Sequence, residues 1–347
     1  MAEDKMKVVA KDKPGPGLAY REAPIPKPGS GEVLIKITAA SICGTDSLIY
    51  DWAPWAAARF VPPRIIGHEF AGEVVETGHG VTHISPGQRV SAESHVFCGR
   101  CLQCTTGRHE VCRDMRILGV DRDGAYAEYL VMPAVNVWPN HPDIPDRWAS
   151  LQEPLGNAAD TVLSEDVSGK SILVTGAGPM GLMCVGVARA CGASTIIVSD
   201  PNPYRLGLAK KLGADVTLNP VNESLVDTVN AHTAGNGVEV FLEISGAEPA
   251  ITDGFSSLTP GGRASLLGIT KGPVGIDLNN LVIFKRIRVY GITGRKVFGT
   301  WHTVSNLLAS GRLNLDPLIT HELPMREYEN AFGLMSKGQC GKIILTP

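Results

Sequence analysis

Four cysteines within fifteen residues, Cys98, Cys101, Cys104 and Cys112, constrain this chain more than any other feature. Their spacing is C-x2-C-x2-C-x7-C, in a stretch that holds Gly99 and Gly107 and few large apolar side chains. Such a loop cannot build its own core. Four thiolates at this density suit Zn2+ in a closed tetrahedral shell, which would hold the loop in place of hydrophobic burial. The other four cysteines form no second dense set. Cys43 stands in a short motif, while Cys184, Cys191 and Cys340 read as small buried hydrophobes. Reduced thiols, with no apolar leader in the charged start Met1–Lys13, point to the cytoplasm.

The 347 residues suffice for two domains. A formal net charge of −3 argues against nucleic acid as a partner. No stretch of about 18 apolar residues predicts a membrane span. The first part of the chain reads as an irregular, mostly β domain, with strands Val33–Thr38, Phe70–Val75 and Arg89–Ala92 between Gly/Pro turns. From Ser168 the rhythm changes. Short apolar runs at Ser171–Thr175, Thr195–Ser199, Asp215–Leu218, Val238–Leu242, Arg263–Leu267 and Arg288–Ile292 alternate with helical stretches. Six such strands predict a doubly wound parallel α/β sheet. A helix over Thr300–Ser310, a Pro- and Leu-rich loop and a last strand at Lys342–Leu345 follow, returning to the first domain.

The first strand of the α/β part runs into Gly176-x-Gly178-x-x-Gly181, and a helix follows. In that context the first glycine permits a tight turn, the second lets backbone approach a pyrophosphate, and the third lets helix and strand pack closely. The helix N-terminus offers free N–H groups to phosphate. Asp200 ends the second strand, where a carboxylate accepts from ribose hydroxyls and repels a 2′-phosphate, so NAD is expected over NADP. Arg205 is the residue nearby that could serve a 2′-phosphate instead.

A second, sparser metal set is Cys43 in Cys43–Asp46, His68 and Glu69 after Gly67, and Glu153 before Pro154. A Cys, a His and one or two carboxylates could hold a Zn2+ that keeps one position open for substrate. Singly, each of these residues has an ordinary structural reading, and only their company in one chain with the zinc loop and the dinucleotide motif points to chemistry.

Together C-G-T-D at 43–46, G-H-E-x-x-G at 67–72, the cysteine loop and G-A-G-P-M-G at 176–181 resemble the zinc-dependent medium-chain dehydrogenase/reductases over essentially the whole chain. Ile49–Trp52 with Trp55, Leu151–Asn157, Phe284–Lys285, Tyr290–Arg295, Thr300–Trp301, Ser310–Pro317 and Ile319–His321 resemble the threonine-oxidising branch of that family. The resemblance implies a GroES-like catalytic domain over 1–154, a Rossmann NAD-binding domain over 155–295 and a return to the catalytic domain over 296–347. It implies one structural zinc on the four clustered cysteines and one catalytic zinc on Cys43, His68 and Glu69, with Glu153 an alternating ligand or essential neighbour. It places NAD against Met180, Asp200, Arg205, Leu267, Gly268, Ile269, Ile292 and Thr293, and implies a homotetramer. The implied reaction takes L-threonine to 2-amino-3-ketobutyrate by hydride transfer from an alkoxide stabilised by zinc. A polyol or vicinal-diol dehydrogenase is the alternative. Thr45 would accept the hydroxyl proton. The family's next relay residue is a His three positions on, where this chain has Leu48, a side chain that carries no proton. His95 matches a His near the family's active site and would select substrate or supply the missing base. Arg295 is expected to meet an anionic group at the cleft.

Overall fold

The computed structural model describes residues 4–347. Its first sheet is organised on strand Glu32–Ser41, where Ile35, Ile37 and Ala39 are buried and Lys36 and Thr38 exposed, the period of two that a half-buried strand requires. That strand pairs antiparallel with Glu69–Thr77, Tyr129–Pro133 and Lys342–Thr346. Arg89–Ala92 and Val137–Pro139 extend the sheet on one side and Ile319–Pro324 closes the other, making seven strands. The end of the chain therefore completes the sheet begun near its start.

One stretch differs from its sequence reading. The expected loop between 310 and 342 contains strand Ile319–Pro324 and helix Tyr328–Ser336. The strand's sequence, ITHELP, has little apolar contrast because it lies at the sheet edge and is half-buried, and a proline is tolerated there.

The six expected parallel strands form one sheet in the order 216–218, 195–199, 171–175, 238–243, 258–266, 288–291. This is the 3-2-1-4-5-6 order of a doubly wound dinucleotide fold. Its central strands are continuous apolar runs because helices cover both faces. The order reverses between Ser171–Thr175 and Val238–Glu243, which opens a crevice beyond their C-terminal ends.

Helix Gln152–Val162 lies where the two sheets meet, and nine of its eleven residues are buried. Ala39 and Ala71 of the first sheet, Leu155 and Ala158 of this helix, and Leu182 of helix Pro179–Ala190 share one hydrophobic core. Pro154 sits in the first turn, where its missing N–H costs nothing. The burial of the helix fixes Glu153, in that same turn, at the junction.

Candidate active site

The four clustered cysteines converge. One sulfur from each lies within 4.8 Å of all the others. The Cys101 and Cys104 sulfurs are 3.5 Å apart, and those of Cys101 and Cys112 are 3.9 Å apart. Four bonds of about 2.3 Å in a tetrahedron put sulfurs about 3.8 Å apart, whereas a disulfide needs about 2.05 Å. All eight cysteines are free. Burial, with the neighbouring sulfurs, pushes the Cys104 thiol up to about 12, whereas backbone N–H groups of Cys104 and Arg113 draw the Cys101 thiol down to about 6. The donors fit Zn2+ with no vertex left for substrate.

The second cluster is built from two strand ends. Cys43 follows strand Glu32–Ser41 and caps helix Gly44–Tyr50, while His68 immediately precedes, and Glu69 begins, the strand paired beside it. One donor atom from each of Cys43, His68 and Glu69 lies within 4.8 Å of the other two. His68 turns Nδ1 toward Asp46, 3.5 Å from Oδ1, which leaves Nε2 for a metal. Asp46 is itself fixed: its Oδ2 accepts from Cys43 N at 2.9 Å and from the Tyr126 hydroxyl at 2.7 Å. Burial opposes protonation of His68, but Asp46 and Cys43 outweigh it and raise its pKa well above the usual value. Glu69 Oε2 accepts from Ser41 Oγ and from the buried Lys342 ammonium, whereas Oε1 is buried with no partner. Burial raises the Glu69 carboxyl even against Lys342. An orphaned carboxylate oxygen beside a thiol and an imidazole fits a dication.

Glu153 does not complete that tight set. Its Oε1 lies 2.8 Å from Arg295 Nη2 and accepts from Ser94 Oγ. Arg295 corrects its expectation. It does not face an anion at the cleft, because its guanidinium is fully buried and bound to protein carboxylates. Gly156 makes room for it, since a Cβ there would lie 2.5 Å from Arg295 Cδ. Thr45 Oγ1 is 3.9 Å from Cys43 Sγ, and Leu48, on the same helix, is exposed. His95 packs against Gly294, and its Nδ1 is buried without a partner. Burial, with Arg295, lowers its pKa to about 4.

At the other edge of the junction, Gly176 has φ +92° and a Cβ on Gly181 would lie 1.8 Å from Gly176 O. Gly178 differs. Its φ of −63° suits any residue and a Cβ there would meet nothing within 4 Å. Neither packing nor conformation of the protein asks for glycine at 178, and this open cradle at a helix start fits a pyrophosphate. Asp200 Oδ2 accepts from Ala177 N and Oδ1 from Asn202 N, both at 2.7 Å, which ties the second strand to the glycine turn. Arg205 stands in helix Pro203–Lys211 with its Nε buried and unpartnered. Met180 lies in the first turn after Gly178. Leu267, Gly268 and Ile269 leave one strand end and Ile292 and Thr293 the next, with Ile269 91% exposed. A cavity of about 710 Å³ between Ser245–Glu248 and Ile269–Val274 follows this edge. A larger one, about 780 Å³, is lined by Met6, Arg21, Lys27, Arg64 and Arg116 among others and shares no residue with either cluster.

Sequence reasoning missed Glu93, Lys342 and Glu243. Each reads as a polar residue at a strand end, and each is buried. Glu243 Oε1 accepts from Ser245 N at 2.8 Å and Gly246 N at 2.9 Å, shaping the turn across the crevice. The only local signal was a charged residue beside an apolar run.

Residues 29–146 match the alcohol dehydrogenase GroES-like domain and residues 179–310 the zinc-binding dehydrogenase family. The chain belongs to the zinc-dependent medium-chain dehydrogenases, as an oxidoreductase of GroES-like plus Rossmann architecture. Among individual proteins it is similar to the L-threonine 3-dehydrogenase of Pyrococcus horikoshii, 55% identical over 98% of both chains. A zinc-binding dehydrogenase of Sinorhizobium meliloti bound to NADP superposes with a TM-score of 0.92 at 28% identity, over 99% of this chain and 100% of that one. An alcohol dehydrogenase of Escherichia coli complexed with NADH gives 0.91 at 30% identity, over 99% of both.

Proposed function

We propose that this chain oxidises the secondary hydroxyl of L-threonine to 2-amino-3-ketobutyrate, with NAD+ taking the hydride. The observation that carries the reading is one junction holding both an unsaturated Cys43–His68–Glu69 cluster and a dinucleotide crevice, in a chain 55% identical to an L-threonine 3-dehydrogenase. In this reading Cys43, His68, Glu69 and Glu153 serve the catalytic metal, and Cys98, Cys101, Cys104 and Cys112 the structural one. When bound, zinc supplies stabilisation of negative charge on the substrate oxygen, and the nicotinamide supplies the hydride acceptor.

The chain's own residues do the rest. Thr45, beside Cys43, takes the hydroxyl proton. Leu48 cannot pass it on, so water or a ribose hydroxyl of the cofactor carries it outward. His95, neutral at neutral pH, selects substrate rather than taking up the proton. Gly178 and the helix start bind pyrophosphate, Met180, Leu267, Gly268, Ile269, Ile292 and Thr293 lie against the NAD, and Arg205 flanks the adenosine ribose. The Asp200 carboxylate repels a 2′-phosphate, so kcat/KM with NAD+ is expected to exceed that with NADP+ by at least about tenfold, the effect of 1.4 kcal/mol.

We read the domains as 1–154, 155–295 and 296–347, working in the cytoplasm as a homotetramer. Among the described residues no helix is long and apolar enough to cross a membrane. The sheet edge at Arg288–Gly291, with exposed Val289 and the neighbouring Leu278, Ile283 and Phe284, supports self-association.

Steady-state NAD+ reduction with L-threonine, sorbitol and 2,3-butanediol tests the substrate. The expected result is a kcat/KM for L-threonine well above the other two. Threonine turnover no better than diol turnover would transfer the chain to the diol reading. Leu48→His is expected to raise kcat or shift its pH profile. An unchanged profile would mean that the bypass already carries the proton without limiting turnover.

A further inference from the structure

Glu93 is the most completely engaged carboxylate at the junction, and no step of the reaction uses it. It follows strand Arg89–Ala92 and is 0% exposed. Its Oε2 accepts from Arg295 Nε at 2.8 Å and from Trp301 Nε1 at 2.9 Å. Its Oε1 accepts from Arg295 Nη2 and from His95 N at 2.9 Å. These four bonds fill the roughly four acceptor positions of a carboxylate. Glu93 thus holds Arg295 by the guanidinium's bidentate edge, the strongest arrangement open to that pair.

The consequence falls on Glu153. Arg295 Nη1 donates to Asn157 Oδ1 at 3.0 Å, and Nη2, besides Glu93, donates to Ser94 Oγ at 3.0 Å, so Glu153 meets the guanidinium at Nη2 alone, 2.8 Å away, and at neither of its forked edges. Glu153 is therefore tethered through Oε1 alone. Two carboxylates and one guanidinium also leave this buried group with one formal negative charge. Without Glu93 the bidentate edge would be free for Glu153, and the group would be neutral.

We propose that Glu93 is a positioning residue that keeps Glu153 available to the catalytic metal by occupying the bidentate edge of Arg295. The proposal rests on the reading above in which Glu153 serves that metal. It explains why two buried carboxylates share one arginine: the first saturates it so that the second is held loosely. Trp301, buried in helix Gly299–Ala309, fixes the orientation of Glu93 from the returning segment.

The test uses the full-length zinc enzyme and three variants: Glu93→Gln, Glu153→Gln and the double variant Glu93→Gln/Arg295→Gln. Glu93→Gln is expected to lose about 10- to 100-fold in catalytic-site zinc affinity or in kcat, the usual cost of losing a group behind a metal ligand. Zinc affinity is read by competition with a chelator, and the Co2+-substituted protein should show a shifted ligand-field spectrum. KM for NAD+ should stay within about twofold, since Glu93 touches no residue assigned to the cofactor. The diagnostic outcome is rescue. Removing Arg295 as well should restore affinity and kcat toward the wild-type values, because nothing then competes for Glu153. A double variant worse than Glu93→Gln would overturn the proposal and leave Glu93 a purely structural residue. Zinc affinity and a Co2+ spectrum in Glu93→Gln equal to wild type, with Glu153→Gln impaired, would overturn this proposal alone. Wild-type zinc affinity and activity in Glu153→Gln would overturn the metal reading and this proposal with it. If Glu93→Gln does not fold, Glu93→Asp takes its place: it keeps the charge but shortens the reach, and an intermediate loss with a partly shifted Co2+ spectrum is expected. Wild-type behaviour of the Asp variant on both readouts would count against the proposal.

Discussion

Cys43→Ser is expected to lose about 10³-fold or more in kcat/KM for L-threonine, since the polarisation a metal provides is worth several kcal/mol. A serine hydroxyl is a poor soft-metal ligand and carries no charge at neutral pH, whereas a thiolate supplies both softness and charge. The fold should survive. Cys43 makes no disulfide, and the backbone N–H it offers to Asp46 remains in serine. Metal analysis should fall from about two zinc per chain to about one, because the closed cysteine set is independent of this position. A variant that loses both metals, or keeps full activity, would contradict the division of labour between the two clusters.

Arg295→Met is expected to cost about 3–5 kcal/mol of stability, as removal of one partner from a buried ion pair does. The change leaves Glu93 at 0% exposure and Glu153 at 5% without their shared cation. Burial already holds the Glu93 carboxyl above its ordinary value with Arg295 present. A carboxyl raised in the folded state is favourable while protonated and loses that stability as pH rises through its folded pKa. Methionine at 295 pushes Glu93 further up, so the deficit should be largest at neutral pH and shrink toward acid. Urea unfolding at two pH values measures it. A loss under about 1 kcal/mol at neutral pH would show that the network is not the electrostatic centre of the junction.

The two clusters were not equally legible. Cys98, Cys101, Cys104 and Cys112 could be read directly because their ligands are neighbours in sequence and the loop has nothing else to hold it. Cys43 and the His68–Glu69 pair lie 25 residues apart and meet only because two antiparallel strands bring Ser41 opposite Glu69. No spacing rule encodes that pairing, and only the family resemblance joined them. The α/β sheet was legible because its strands are uninterrupted apolar runs, whereas Ile319–Pro324, at a half-buried edge, carries no such contrast. Arg295 shows the limit most clearly. An arginine near a cleft invites an anionic ligand, but its partners Glu93 and Glu153 lie 202 and 142 positions away, and only tertiary packing makes them its ligands. Lys342 is the same case, since its partner Glu69 is 273 positions distant.

The central claim is that one chain carries a closed structural metal and an open catalytic one. Anomalous diffraction at the zinc edge, from crystals of the enzyme grown without chelator, tests it most directly. The expected map has two peaks per chain. One lies among the sulfurs of Cys98, Cys101, Cys104 and Cys112, and the other touches Cys43 and His68 with Glu69 or Glu153 completing the shell. A single peak at the four cysteines, from protein that is fully active on L-threonine, would contradict it.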